Sequence, residues 1–197
     1  MQKAVPVGVG AMAALLGLDY EAAVAVANEA AQGGQVCQAA NDNGGGQVVV
    51  SGDKAAVDRA VEIAKGRGAK RAMLLPVSAP FHCRLMQPAA DAMAEALSKV
   101  SIKAPAVPLV SNVLASAIID PDEIRRRLVE QVTGTVRWRE SVAYMAGKGV
   151  SRFFEIGAGK VLTGLVKRIA EGAVGVAVGG PNDIVAAKDA LAAARSA

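Results

Sequence analysis

With 197 residues, 52% of them hydrophobic and 20% charged, the chain is globular and long enough for one core or two small ones, which excludes a peptide module. Aromatics make up only 3%, so the core is expected to be aliphatic and tightly packed. A net charge of +4 suits an acidic partner, but the basic residues are scattered and lack interleaved stacking aromatics, and no apolar run could cross a bilayer; neither nucleic acid nor membrane is expected among its partners.

Residues 1–8 have no signal-peptide layout, which makes a cytoplasmic protein the default. The apolar run Val9 to Leu16 reads as a buried strand, and Asp19 then caps a helix to about Ala31, ended by Gly33 and Gly34. Gln35 to Ala40 and Gln47 to Ser51 are two short strands joined by the Asn41 to Gly46 turn. Asp53 caps a second helix with Val57, Ala60, Val61 and Ala64 on one face, stopped at Gly66 and Gly68; Arg71 to Val77 is a further strand. This β-α-β-β-α-β order is that of a ferredoxin-like split unit, assigned to residues 1–77 as a small subdomain.

Residues 78–197 have a different rhythm. Pro88 opens a helix carrying Ala89, Met93, Leu97 and Val100 at helical spacing; Val107 to Val113 is a strand; Asp120, Pro121 and Glu123 begin a helix through about Val132. A short helix covers Trp138 to Gly147. Arg152 to Ile156 is a strand, a helix carrying Val161, Leu162, Leu165 and Ile169 follows, Val174 to Val178 is the last strand, and Pro181 starts the final helix. Strands alternating with helices predict pieces of a parallel-sheet α/β domain, and their edges and apolar faces call for further neighbours upstream of Met1.

The only histidine, His82, lies in Pro76-Val77-Ser78-Ala79-Pro80-Phe81-His82-Cys83, which two prolines keep extended before a helix begins. That placement suits a general base, and it also suits a surface-loop histidine. Cys37 and Cys83 show no metal-ligand spacing and are expected to be reduced; Cys83 is not expected to pair with His82, because neighbours on an extended segment face opposite ways. Gln131 follows Ile124 and Leu128 at helical spacing and so shares their inward face. Three roles fit it: orienting His82 as a carboxylate does in a Ser-His-Asp triad, a structural bond to a loop carbonyl, or a frayed helix end. The Gly157-Ala158-Gly159-Lys160 turn is not a phosphate loop, since Phe154 stands where the first Gly is required and Val161 where Ser or Thr is. No serine, from Ser51 to Ser196, sits in a Gly-x-Ser-x-Gly elbow.

Several segments in one order give the chain a wider likeness: Met1-Gln2-Lys3-Ala4-Val5-Pro6 with Gly10-Ala11-Met12-Ala13-Ala14, Gln47 to Gly52, Pro76 to His82, Val110-Ser111-Asn112-Val113, and Glu155 through Leu165. In these it resembles the bacterial malonyl-CoA:acyl-carrier-protein transacylases of fatty acid synthesis, from Met1 to about Ile169. The resemblance implies an α/β-hydrolase-like large domain with a ferredoxin-like subdomain inserted, of which residues 78–197 would be the C-terminal part. It implies ping-pong transfer of malonyl from malonyl-CoA to a serine and then to the phosphopantetheine thiol of acyl carrier protein, with no metal or redox cofactor. It places His82 at the catalytic histidine, Gln131 at the glutamine that orients it, and Asn112 at a strand end whose backbone supports the imidazole. The family's Gly-His-Ser-Leu-Gly elbow, its oxyanion-hole glutamine and its malonyl-clamping arginine would precede Met1. The expectation is therefore a fragment, inactive alone, with the N-terminal part of the same enzyme as a further partner. A polyketide-synthase acyltransferase domain and a non-catalytic carrier-protein-binding module are the alternatives. Gly45 and Ala158 replace prolines common in the family, and Phe81 before His82 resembles the pair found in malonyl-selective synthase domains.

Overall fold

The computed structural model describes Met1 and residues 3–195, so Gln2, Ser196 and Ala197 lie outside the described residues. The chain divides into two compact units, Met1–Ser141 and Val142–Ala197. The boundary expected at residue 77 lies inside the first of them.

The first unit is organised around four strands, β1 (Gly10–Leu16), β2 (Cys37–Asp42), β3 (Gln47–Asp53) and β4 (Arg71–Leu74), with helices α1 (Tyr20–Ala30) and α2 (Lys54–Gly66) between them. They form one antiparallel sheet in the order β2-β3-β1-β4, the arrangement of a split βαβ unit. Successive side chains on a strand face opposite ways, and both faces are used. Leu15, Val48 and Val50 pack with Val26 and Val57 of the helices, whereas Met12, Ala40 and Val49 form a second cluster on which Leu75 and Phe81 rest. Burial on both faces explains why β1 and β3 read as unbroken apolar runs.

Asp19 caps α1 as expected, its carboxylate accepting from the Ala22 amide at 2.8 Å. Asp53 does not cap α2. Its carboxylate accepts from Val36 N at 2.6 Å, because the Asp53 backbone is already committed to Val36 O and the side chain closes the same pairing. The β2–β3 turn places Gly44, Gly45 and Gly46 all at positive φ, which glycine tolerates without steric cost.

After β4 the chain runs through a short 3₁₀ turn, Arg84–Met86, into α3 (Gln87–Ser98), with Pro88 in its first turn. The strand expected over Val107 to Val113 is shorter, β5 (Leu109–Ser111), and pairs antiparallel with β6 (Ser116–Ile118), whose three residues carry too little pattern to be read. This hairpin corrects the expectation of parallel pairing for that strand. Helix α4 (Pro121–Glu130) begins at Asp120, whose carboxylate accepts from Glu123 N at 2.7 Å. Glu123 does not return the bond; it pairs with Arg126 and Arg127, so much of the helix's positive charge is already neutralised within it. Residues 135 and 136 then run along the free edge of β2: Thr135 Oγ1 donates to Ala39 O, Val136 N to Ala40 O, and Asp42 N to Val136 O. Helix α5 (Trp138–Gly147) follows.

The second unit holds β7 (Arg152–Ile156), α6 (Val161–Ile169), β8 (Val174–Val178) and α7 (Asp183–Arg195), with β7 and β8 parallel as expected. After the Gly157 to Lys160 turn, Glu155 occupies the start of α6: its carboxylate accepts from Leu162 N, Thr163 N and Thr163 Oγ1 at 3.1, 2.7 and 2.7 Å, so the helix's first amides already have a carboxylate partner. The Thr163 hydroxyl and these amides hold the Glu155 carboxyl below the usual carboxylate range. A depressed folded-state pKa contributes stability that is present above the unfolded value, near 4.5, and is lost as pH falls through the folded one. Acid titration followed by circular dichroism should therefore show a steeper loss of stability below that pH in the unaltered chain than in Glu155→Gln; identical acid limbs would assign the loss to other groups.

Candidate active site

His82 is held from both sides. Ala79 and Pro80 before it and Cys83 after it are buried, the Cys83 thiol donates to Pro80 O at 3.2 Å, and Arg84 N donates to the Gln38 side-chain oxygen at 2.8 Å. Phe81 packs against the sheet's second face and against a cluster formed by Val5, Met86, Ala90 and Val132, so packing accounts for its bulk. Between these anchors His82 takes φ of 59°, in the left-handed region that few non-glycine residues enter. The segment is therefore a pinned corner where an extended one was expected.

The imidazole Nδ1 lies 2.8 Å from the backbone carbonyl of Gln131. A carbonyl can only accept, so Nδ1 carries the proton, and in the neutral ring Nε2 presents its lone pair as a base. The carbonyl is available because Gln131 is the C-cap of α4, where the last carbonyls have no intrahelical partner. These carbonyls are also the negative end of the helix dipole, which supplies part of what a triad carboxylate would.

Sequence reasoning brought His82, Gln131 and Asn112 together, but with backbone and side-chain roles exchanged. Orientation of His82 comes from the Gln131 backbone; the Gln131 side chain instead accepts at Oε1 from Asn112 Nδ2 at 3.0 Å. Asn112, expected to act through its backbone, acts through its amide, while its carbonyl accepts from Arg137 N at 2.9 Å. Where a helix ends decides which of a residue's carbonyls is free, and periodicity alone does not place that end. All three side chains are half-buried, and a cavity of about 170 Å³ lined by Ser111, Asn112, Arg127 and Gln131 opens beside the two amides.

No family model matches the chain. It is 50% identical over 187 residues to the malonyl CoA-acyl carrier protein transacylase of Escherichia coli K12, covering 95% of this chain and 60% of that protein, and 45% identical over 184 residues to the Bacillus subtilis protein of the same name. Among solved structures, the acyl-carrier-protein-S-malonyltransferase of Bartonella henselae superposes with a TM-score of 0.91 at 53% identity, covering 97% of this chain and 60% of that one. The chain is homologous to the malonyl CoA-acyl carrier protein transacylases. It spans about 60% of the length of these curated transacylases. A malonyl-transacylase solved with a type II polyketide acyl-carrier protein is similar at 44% identity, with a TM-score of 0.90, over 94% of this chain and 60% of that one.

The Gln131–Asn112 bond makes a direct prediction. Each alanine substitution removes one partner and should lower stability by about 1 kcal/mol, a typical net value for a half-buried amide pair. The double variant should lose little more than either single one, giving a coupling of about 1 kcal/mol in denaturant unfolding. Fully additive losses would show that the two amides act separately.

Proposed function

We propose that His82 is the general base of a malonyl-CoA:acyl-carrier-protein transacylase that acts in fatty acid synthesis. The observation that carries this reading is the fixed Nδ1–H bond to a helix-end carbonyl, which leaves Nε2 as the basic nitrogen. In the proposed reaction Nε2 takes the proton of a serine hydroxyl as its oxygen attacks the thioester carbonyl of malonyl-CoA. The tetrahedral intermediate collapses, the carbon–sulfur bond breaks, and the imidazolium returns the proton to the leaving thiolate of coenzyme A. The phosphopantetheine thiol of acyl carrier protein then attacks the serine ester in the reverse sense. Base, ester and preorganised donors suffice for this chemistry, so neither a metal nor a redox cofactor is part of the proposal.

The nucleophilic serine is assigned to the part of the transacylases that this chain does not span. A cytoplasmic setting goes with this reading, and among the described residues no helix is long and apolar enough to cross a membrane.

The test compares the 197-residue chain with the same chain joined to the remaining part of a relative, each incubated with labelled malonyl-CoA and then with holo acyl carrier protein. The joined protein should form a malonyl ester on one serine and pass it to the carrier thiol, and the chain alone should take up no stable label. A folded joined protein without ester or transfer would overturn the proposal. Transfer of methylmalonyl in preference to malonyl would favour the polyketide reading.

A further inference from the structure

We infer that Arg137, anchored by Glu140, is a positioning residue for His82 that acts through Asn112 and Gln131. The inference rests on His82 being the base. Arg137 is half-buried and uses its fork in two directions. Nε and Nη2 donate to the Glu140 carboxylate at 2.9 and 2.5 Å, while Nη1 donates to Val113 O and Leu114 O at 3.3 and 3.2 Å. Its own amide donates to Asn112 O. One residue thus binds three consecutive carbonyls of the β5–β6 connection.

That connection needs support. Its strands have three residues each, and Ala115 takes φ of 53°, a left-handed conformation unfavourable for a residue with a Cβ. The hairpin nevertheless has to hold the Asn112 amide within hydrogen-bond reach of Gln131 Oε1, and Gln131 has to hold its carbonyl on His82. Arg137 is itself fixed, because Thr135 and Val136 immediately before it are tied to the β2 edge. The route therefore runs from sheet edge to guanidinium, to hairpin turn, to Asn112, to the α4 terminus, to the imidazole. A lysine at 137 could keep the charge pair with Glu140 but could not fork to two carbonyls as well.

Because His82 is the only histidine, its ring gives a single set of imidazole signals in a ¹⁵N-labelled chain. The unaltered chain should show a proton on Nδ1 that exchanges slowly. In Arg137→Lys and in Glu140→Gln that proton should exchange at least tenfold faster, with a rising share of the Nε2–H tautomer, while Arg67→Lys, which alters a surface pair with Glu29, should leave the ring signals unchanged. Amide dispersion reports folding, and if Arg137→Lys unfolds the chain, Glu140→Gln decides the matter. Ring signals that superpose on those of the unaltered chain in a folded variant would overturn the inference. Failure of His82 as a base would appear separately, as full activity of His82→Ala in the joined enzyme.

Discussion

Replacing His82 by alanine in a full-length transacylase carrying this chain is expected to slow formation of the serine ester by about 10² to 10⁴, the usual worth of a positioned general base. Removing the ring leaves the nucleophile in place but with no acceptor for its proton at neutral pH, so the loss should fall on the chemical step more than on binding of malonyl-CoA. Gln131→Ala should cost less, because the carbonyl that holds Nδ1 belongs to the backbone and survives the substitution. Single-turnover acylation with labelled malonyl-CoA separates the two. Losses below about threefold for both variants would remove these residues from the site.

Gly10→Ala should also be severe, although it changes one hydrogen to a methyl at some distance along the chain from the histidine. A Cβ at Gly10 would lie 2.3 Å from the Pro80 ring, and Pro80 is fully buried two residues before His82. Gly10 does not sit at positive φ, so the conflict is one of space alone. Overpacking of this kind typically costs about 1–3 kcal/mol, and a shift of about 1 Å at a reacting group can cost about 10² in rate. Gly66→Ala is the natural comparison, since among the described residues nothing beyond its chain neighbours and its own helix backbone stands within 4 Å of the added carbon; there the change should be neutral or raise stability by up to about 1 kcal/mol. Thermal unfolding and ester formation would be measured for both. Equal behaviour of the two variants would show that Pro80 does not transmit the clash to His82.

Local signals in the sequence were enough for most elements. Asp19 and Asp120 cap the helices they precede, and the strand limits at Arg152–Ile156 and Val174–Val178 are those read from the apolar runs. What failed depended on partners distant in sequence. Asp53 has the composition of a cap, but Val36, 17 residues earlier, claims its carboxylate. Val107 to Val113 reads as one strand, yet a turn with a left-handed alanine folds its end back as a hairpin. At the site, residue types pointed to His82 and Gln131 and the family resemblance added Asn112, but which of them would use its backbone depends on α4 ending at Glu130. Arg137 carried no signal at all. Its role exists only because β2 delivers it to the hairpin, a pairing across 96 residues.

The two cysteines bear on a hazard particular to thioester chemistry. A protein that passes an acyl group between thiols must keep its own thiols out of the exchange, or they would collect the acyl group as a dead-end product. Cys37 and Cys83 are buried to within a few per cent of full enclosure; burial, reinforced by the neighbouring Cys83, pushes the Cys37 thiol up to about 12, and burial raises that of Cys83 as well. Only the thiolate attacks, and at neutral pH a group with a pKa of about 12 is ionised in roughly one molecule in 10⁵. Cys83 can thus stand beside the proposed base without being activated by it: the corner that turns the imidazole toward Gln131 turns the thiol inward to Pro80 O, and the two side chains meet different surroundings.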